Sequence, residues 1–170
     1  MRAGSRAAPG ARTVHETLTR KREAAVVARD AAAMRKLIAA EKGDKDVWDL
    51  KLVAGGLLDI EFVAQYLSLA FAHARPDILD VSTRKVIEKA GVARLLSADH
   101  VETLVDAHRL YTEATQFMRL SIAGPFDLGK AAAGVKRRIA AATGFPDFEA
   151  FVAALDEARR RVREACAEIM

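Results

Sequence analysis

One segment in the second quarter of the chain constrains the fold more than any other. Between Gly55-Gly56 and Pro76 lie Ile60, Phe62, Val63, Tyr66, Leu67, Leu69 and Phe71. Wound as a helix, these side chains cover more than half the circumference. A helix apolar on so many sides is stable only when other elements surround it. The spacing therefore predicts a central helix from about Leu57 to Ala74, packed on several faces and stopped by Pro76. It does not predict a membrane span. The longest uncharged stretch here, Phe62 to Ala72, is far short of the roughly 20 apolar residues that a bilayer requires.

The rest of the chain reads as the neighbours such a helix needs. Residues 1–12, rich in Gly, Pro, Ala and Arg, read as a disordered tail or linker remnant, and residues 13–170 as the helical domain. Thr13 and Glu16 have capping-box spacing. The helix they would open runs to Gly43, with a break near Thr19–Arg22. Its apolar face is Val27, Met34, Leu37 and Ile38, and its wet face Arg29, Arg35, Lys36 and Glu41. Trp48 to Val53 alternates in polarity and is expected to run extended. Ser82 caps a short helix over 83–90 closed by Gly91, and Ser97 opens a long one to about Ile122, stopped by Gly124-Pro125. In the long helix Val101, Leu104, Val105, Tyr111 and Met118 form the stripe. A helix near Lys130–Thr143 and a last one from Asp147 complete the pattern, the last carrying Phe151, Leu155, Val162 and Ile169 at helical spacing. No repeat of solenoid length is visible. The fold class is all-α, a single bundle of about five to seven helices.

Composition narrows the function classes. The 170 residues are 51% hydrophobic and 29% charged, which excludes intrinsic disorder and suits one domain. A net charge of +4 suggests a nucleic-acid partner until it is located. Arg2, Arg6 and Arg12 supply three of those charges, and the rest of the chain carries only +1. No nucleic-acid or membrane partner is expected. Cys166 is the single cysteine, so an internal disulfide and a multi-cysteine zinc site are excluded. A lone thiol and no signal peptide place the chain in the cytoplasm by expectation. His15, His73, His100 and His108 show no metal-ligand spacing and read as solvated or core-edge residues. The run Arg159-Arg160-Arg161 with Arg163, interleaved with Glu157 and Glu164, reads as a solvated face.

The chemistry-bearing candidates cluster at the start of the central helix. Lys51, Gly55, Gly56, Asp59, Glu61 and Gln65 combine a mobile cation, two glycines and a helix N-terminus. Glycines allow close backbone approach, and free amides at a positive dipole end suit an anion such as a nucleotide phosphate. Asp59 and Glu61 point about 200° apart and cannot share one metal, whereas Glu61 and Gln65 share a face. The alternative is structural: Gly-Gly as a chain reversal, and Asp59 as an acid favoured by the helix dipole. No catalytic residue and no metal ligand is assigned. The chain has no Walker loop, Rossmann fingerprint or nucleophile elbow.

The run Asp49-Leu50-Lys51-x-x-x-Gly55-Gly56-Leu57-x-Asp59-Ile60-Glu61-Phe62-x-x-Gln65-Tyr66 resembles the hallmark of glutamine synthetase adenylyltransferases. Met34-Arg35, Glu41-Lys42-Gly43, Phe126-Asp127-Leu128 and Gly144-Phe145-Pro146-Asp147-Phe148 are similar as well, so the likeness covers nearly everything from Leu18 onward. The resemblance implies enzymes with two copies of a nucleotidyltransferase domain, each followed by a helical domain. The first copy removes AMP from a tyrosine of glutamine synthetase, and the second adds it. Leu58-Asp59, where first copies have Arg-Glu, points to the second half. It further implies Mg2+ and ATP for the full-length enzyme, and the PII signal protein or glutamine as regulators. The catalytic part of such enzymes needs a Gly-Ser turn and a downstream Asp-x-Asp pair. Here Gly4-Ser5 lies in the tail, and Asp44-x-Asp46 follows no such turn.

Two readings follow. In the first, the chain is the C-terminal helical domain of the adenylylating half. It closes the nucleotide cleft with Lys51 and Gly55-Gly56, and its upstream nucleotidyltransferase domain is absent and holds the metal. Alone it is expected to be inactive. In the second, it is a stand-alone helical adaptor for protein interaction without a nucleotide role. A DNA-binding helical domain is disfavoured by the near-neutral charge.

Overall fold

The computed structural model describes residues 9–121 and 131–170. It is all-α: seven α-helices and no strand among the described residues. They are α1 (Pro9–Leu18), α2 (Ala24–Lys42), α3 (Leu57–Phe71), α4 (Thr83–Val92), α5 (Ala98–Ser121), α6 (Ala133–Ala142) and α7 (Phe148–Ile169). A 3-10 turn, Pro76–Ile78, joins α3 to α4. The central helix is where its pattern put it. α3 touches α2, α4, α5 and α7, and Ile60, Val63 and Leu67 are essentially inaccessible. Helix α5 is the second axis, packing on α3, α4, α6 and α7.

Local chemistry explains most boundaries. The Ser82 hydroxyl accepts from the Lys85 amide at 3.5 Å, the Ser97 hydroxyl from His100 at 3.1 Å, and the Asp147 carboxylate from Ala150 at 2.8 Å. Each is an N-cap supplying an acceptor to an otherwise orphaned first-turn amide. α4 continues through Gly91 to Val92 rather than closing at the glycine. Gly91 is tucked against Val101, where a Cβ would meet the valine side chain at 2.6 Å. It serves helix packing, not termination.

Other expectations are corrected. Helix α1 begins at Pro9, so Thr13 is inside the helix and the Thr13/Glu16 pair does not cap it. Pro9–Arg12, expected in the tail, belong to that helix, whereas residues 1–8 lie outside the described residues, as do Gly124-Pro125 and Phe126–Leu128. The Arg22 guanidinium closes the α1–α2 corner by donating to the carbonyls of Thr17 at 2.9 Å and Arg20 at 3.2 Å.

The face of α2 is also different. Val27 and Ala28 are buried, but Met34 and Leu37 are 51% and 63% exposed. Arg35, assigned to the wet side, turns inward, with only 14% of its side chain exposed. α2 is covered on one side only, and the polar partners of Arg35 decide which. Phe62 is buried, yet it lies outside the central cluster and borders a cavity between α2 and α7.

That distinction is measurable by urea unfolding. Ile60→Ala should cost about 2–5 kcal/mol, and Phe62→Ala no more than about 3 kcal/mol despite the larger deletion, because its space opens to solvent. A Phe62→Ala loss well above that of Ile60→Ala would place the ring in the closed core.

Candidate functional site

Between α2 and α3 the chain does not run extended. It folds through successive turns fixed by two aspartates. Asp46 accepts the Trp48 amide at 2.9 Å, and one oxygen of Asp49 accepts the amides of Lys51 and Leu52 at 3.1 and 3.0 Å. Such side-chain acceptors mimic a backbone turn. The buried side chains are Leu50 and Val53, three residues apart as the turns require and not at the alternating positions.

The two glycines are inside the molecule. Gly55 has φ +81°, and a Cβ there would meet the Arg159 carbonyl oxygen at 2.3 Å, so α7 packs directly on its backbone. Gly56 has φ −86° and does not need glycine for its dihedral. It needs it for space, since a Cβ would lie 2.6 Å from the Leu50 carbonyl and 2.8 Å from that of Val53. The amides expected to face an anion are already engaged. Gly56 N donates to Val53 O at 2.8 Å, Leu57 N to Leu50 O at 2.9 Å, and Leu58 N to Lys51 O at 3.1 Å. The preceding loop itself fills the helix N-terminus.

Asp59 completes this closure. One carboxylate oxygen accepts the Gly55 amide and the other the Nε of Arg35. Arg35 also donates through Nη2 to the Leu52 carbonyl at 2.9 Å. The anion sits in the first turn of α3, where the helix dipole also favours it. Three further residues tie the loop to distant helices. Tyr111 Oη donates to Gly55 O at 3.0 Å, Arg159 Nη2 to Val47 O at 2.9 Å, and Arg163 Nη1 to Ala54 O at 3.3 Å. The rings of Trp48 and Phe148 stack with centroids 5.9 Å apart. Burial raises the Tyr111 pKa, so the hydroxyl remains a donor. The basic run on α7 is therefore not a uniform solvated face. Arg159 is buried, Arg160 bonds Glu157 and Glu164, and Arg161 bonds Asp99 at 3.0 Å.

The six candidates thus divide. Gly55, Gly56 and Asp59 belong to the closed loop. Lys51, Glu61 and Gln65 stand outside it, with Lys51 Nζ 3.6 Å from Glu61 Oε1 and Gln65 exposed one turn further along α3. Glu61 and Gln65 border an open groove of about 660 Å³ whose other walls include His15 and Leu18 of α1 and Asp80 and Thr83 before and within α4. His108 of α5 lies within the field of Glu61, and desolvation holds its pKa below the ordinary value. A cation, a carboxylate and an amide beside a groove can recognise a polar partner. Cys166, half-buried, has its thiol pushed up to about 12 by burial and is chemically quiet.

A family model described as GlnD PII-uridylyltransferase matches residues 32–170. The chain belongs to this family. Among its curated relatives is a bifunctional glutamine synthetase adenylyltransferase/adenylyl-removing enzyme of Bradyrhizobium diazoefficiens, 44% identical over 150 residues. Enzymes with the same description from Rhodopseudomonas palustris and Rhizobium meliloti are 43% and 41% identical over 150 and 152 residues. These matches cover 86–88% of this chain and 15% of each relative. The chain therefore corresponds to a small part of such enzymes, and the likeness carried by the Asp49–Tyr66 run extends over most of its length.

Within this member of the GlnD PII-uridylyltransferase family, the residues that hold the motif together lie far from it in sequence. Arg35, Tyr111 and Arg159 escape sequence reasoning because their partners in the loop, backbone carbonyls and for Arg35 also the Asp59 carboxylate, lie far away along the chain and leave no local pattern in sequence. Among the described residues no three of His, Cys, Asp and Glu converge to hold a metal ion, and the helix amides that would cradle a phosphate are taken.

Gly55→Ala should lower stability by more than about 2 kcal/mol, because it combines a left-handed backbone with a backbone clash, while Lys51→Ala should stay within about 0.5 kcal/mol. Chemical denaturation of both variants checks this, and a silent Gly55→Ala would show that α7 does not press on the loop. A second expectation concerns pH. Folded His108 releases its proton more readily than an ordinary histidine, whose pKa is 6.5. The unfolded chain then binds more protons below that pH, so the His108 contribution to stability falls on acidification through this window. Melting temperatures compared at about pH 7.5 and about pH 5.5 should drop less for His108→Gln than for the parent chain.

Proposed function

We propose that the chain is the helical domain that accompanies an adenylyl-transferring nucleotidyltransferase domain, in an enzyme that moves AMP from ATP onto a tyrosine of glutamine synthetase. The observation that carries this reading is the identity of 41–44% across most of the chain to enzymes of that description. In this reading the metal-binding carboxylates and the triphosphate site belong to the upstream nucleotidyltransferase domain, with Mg2+ and ATP as its requirements. The helical domain contributes a rigid wall. Its closed loop holds the start of α3 in place, and the face bearing Lys51, Glu61 and Gln65 meets the nucleotide cleft from outside. That assignment uses Lys51 as a side-chain cation and leaves Gly55 and Gly56 to shape the backbone beneath it. The PII signal protein and glutamine act on the same half of the enzyme, and the whole works in the cytoplasm. The described residues contain no helix long and apolar enough to cross a membrane.

The chain alone, incubated with magnesium-ATP and glutamine synthetase, should form no AMP-tyrosine, because the charge stabilisation that group transfer needs lies elsewhere. Turnover comparable to a complete enzyme would overturn the assignment. In the complete enzyme Lys51→Ala should lower kcat/KM for ATP by about ten- to hundredfold, the loss of one charged hydrogen bond, with the melting temperature unchanged. Unaltered kinetics would remove Lys51 from the cleft and favour the adaptor reading for this face.

A further inference from the structure

Helix α2 is apolar on two faces, and the bundle covers only one of them. Its inner face, with Val27 and Ala28 buried and Ile38 half-buried, packs on α3. On the outer face Val26, Ala33, Leu37 and Ala40 recur at i, i+7, i+11 and i+14, with Met34 beside Leu37. At about 100° per residue the five share an arc of about 120°. All five are exposed, Leu37 by 63% and Met34 by 51%. The other large apolar side chains exposed among the described residues, Val47, Val81, Val92 and Leu120, are scattered over other parts of the chain. A helix apolar all round is a buried one, and a contiguous exposed apolar stripe marks a contact.

Charge and size narrow the occupant. Asp30 interrupts the stripe, and Arg29 and Lys36 line one edge of it. A parallel two-fold pairing of α2 with a second copy sets Asp30 against its own counterpart. An antiparallel pairing sets Arg29 beside the Lys36 of the copy. Both bring like charges together, so the stripe does not suit a second copy of this chain. Five side chains also fall short of the roughly 20–30 residues a side that a stable complex of free proteins uses. A patch of this size suffices when the partner is tethered, because covalent attachment supplies the effective concentration. The matched segment is 15% of each relative, so most of their polypeptide lies outside it. Helices α1 and α2 stand closest along the chain to whatever precedes them, and consecutive elements usually pack together.

We propose that the outer face of α2 docks on the nucleotidyltransferase domain that precedes it on the same polypeptide, with Met34 and Leu37 as the anchors that become buried. The proposal rests on the adenylyltransferase reading and adds a contact that uses none of Lys51, Glu61 and Gln65.

Ala33→Cys places a thiol in the middle of the stripe. Val92→Cys is the control, since Val92 is 85% exposed at the end of α4, which packs on α3 and α5. The native Cys166 is half-buried with its pKa pushed up to about 12, so it reacts slowly. Labelling with N-ethylmaleimide, followed peptide by peptide by mass spectrometry, compares the chain alone with the complete polypeptide. The thiol of Ala33→Cys should react at least about tenfold more slowly in the complete polypeptide, and that of Val92→Cys at the same rate in both. Adding Met34→Glu and Leu37→Glu should restore fast labelling in the complete polypeptide and shift the melting temperature of the chain alone by no more than about 2 °C. Equal rates for Ala33→Cys in the two proteins, equal protection of Val92→Cys, or a chain that sediments alone as a dimer split by the two glutamates would each overturn the proposal. AMP transfer to glutamine synthetase, measured on the same complete polypeptide, separates the two readings. Protection without transfer would overturn the enzyme assignment and leave the docked face, whereas transfer with an unprotected thiol does the reverse.

Discussion

The carboxylate of Asp59 at the first turn of α3 is the interaction on which the rest of the molecule depends. It answers three demands at once: a donor on the Gly55 amide, the charge of Arg35, and the positive end of the helix. Because both partners are only 14% exposed, neither ion can turn to water if the other is lost. Breaking a buried pair by removing one member generally costs about 3–5 kcal/mol, since an uncompensated charge remains. The direction of α3, the path of the loop before it and the seating of α2 all follow from satisfying that one group.

From this knot the architecture radiates. The Leu50 and Lys51 carbonyls take the first amides of α3, and that of Val53 takes the amide of the preceding Gly56, so the helix is capped by backbone rather than by a polar side chain. Tyr111 brings α5 to Gly55, and Arg159 brings α7 to Val47, so helices more than fifty residues away are fastened to the same few atoms. A loop held this tightly is a poor ligand cradle and a good support. On its outer side Lys51 and Glu61 pair with each other, and Gln65 is exposed. The chain as a whole corresponds to a small part of the enzymes it resembles.

Much of the fold was legible in sequence. A helix apolar over more than half its surface must be central, and α3 is. Ser82, Ser97 and Asp147 mark helix starts through short-range hydrogen bonds, which sequence spacing reports directly. The misread elements share one cause. Met34 and Leu37 look like core residues by periodicity, but α2 is covered on one side only, and the covered side is the one that lets Arg35 reach Leu52 and Asp59. Trp48 to Val53 alternates like a strand, but Asp46 and Asp49 bend it into turns. Thr13 has capping-box spacing, but Pro9 starts the helix one turn earlier.

By itself, then, the sequence determined the helical class, the central place of residues 57–71, and the family, because periodicity, caps and a long motif are local properties of the chain. Only the tertiary structure decided what the motif residues do. Whether Gly55 faces a ligand or the backbone of α7 depends on where a carbonyl more than a hundred residues away comes to rest. Whether Asp59 is open or sealed depends on which face of α2 turns inward. Those are contests among buried polar groups for a limited set of partners, and only the packed chain brings the competitors together.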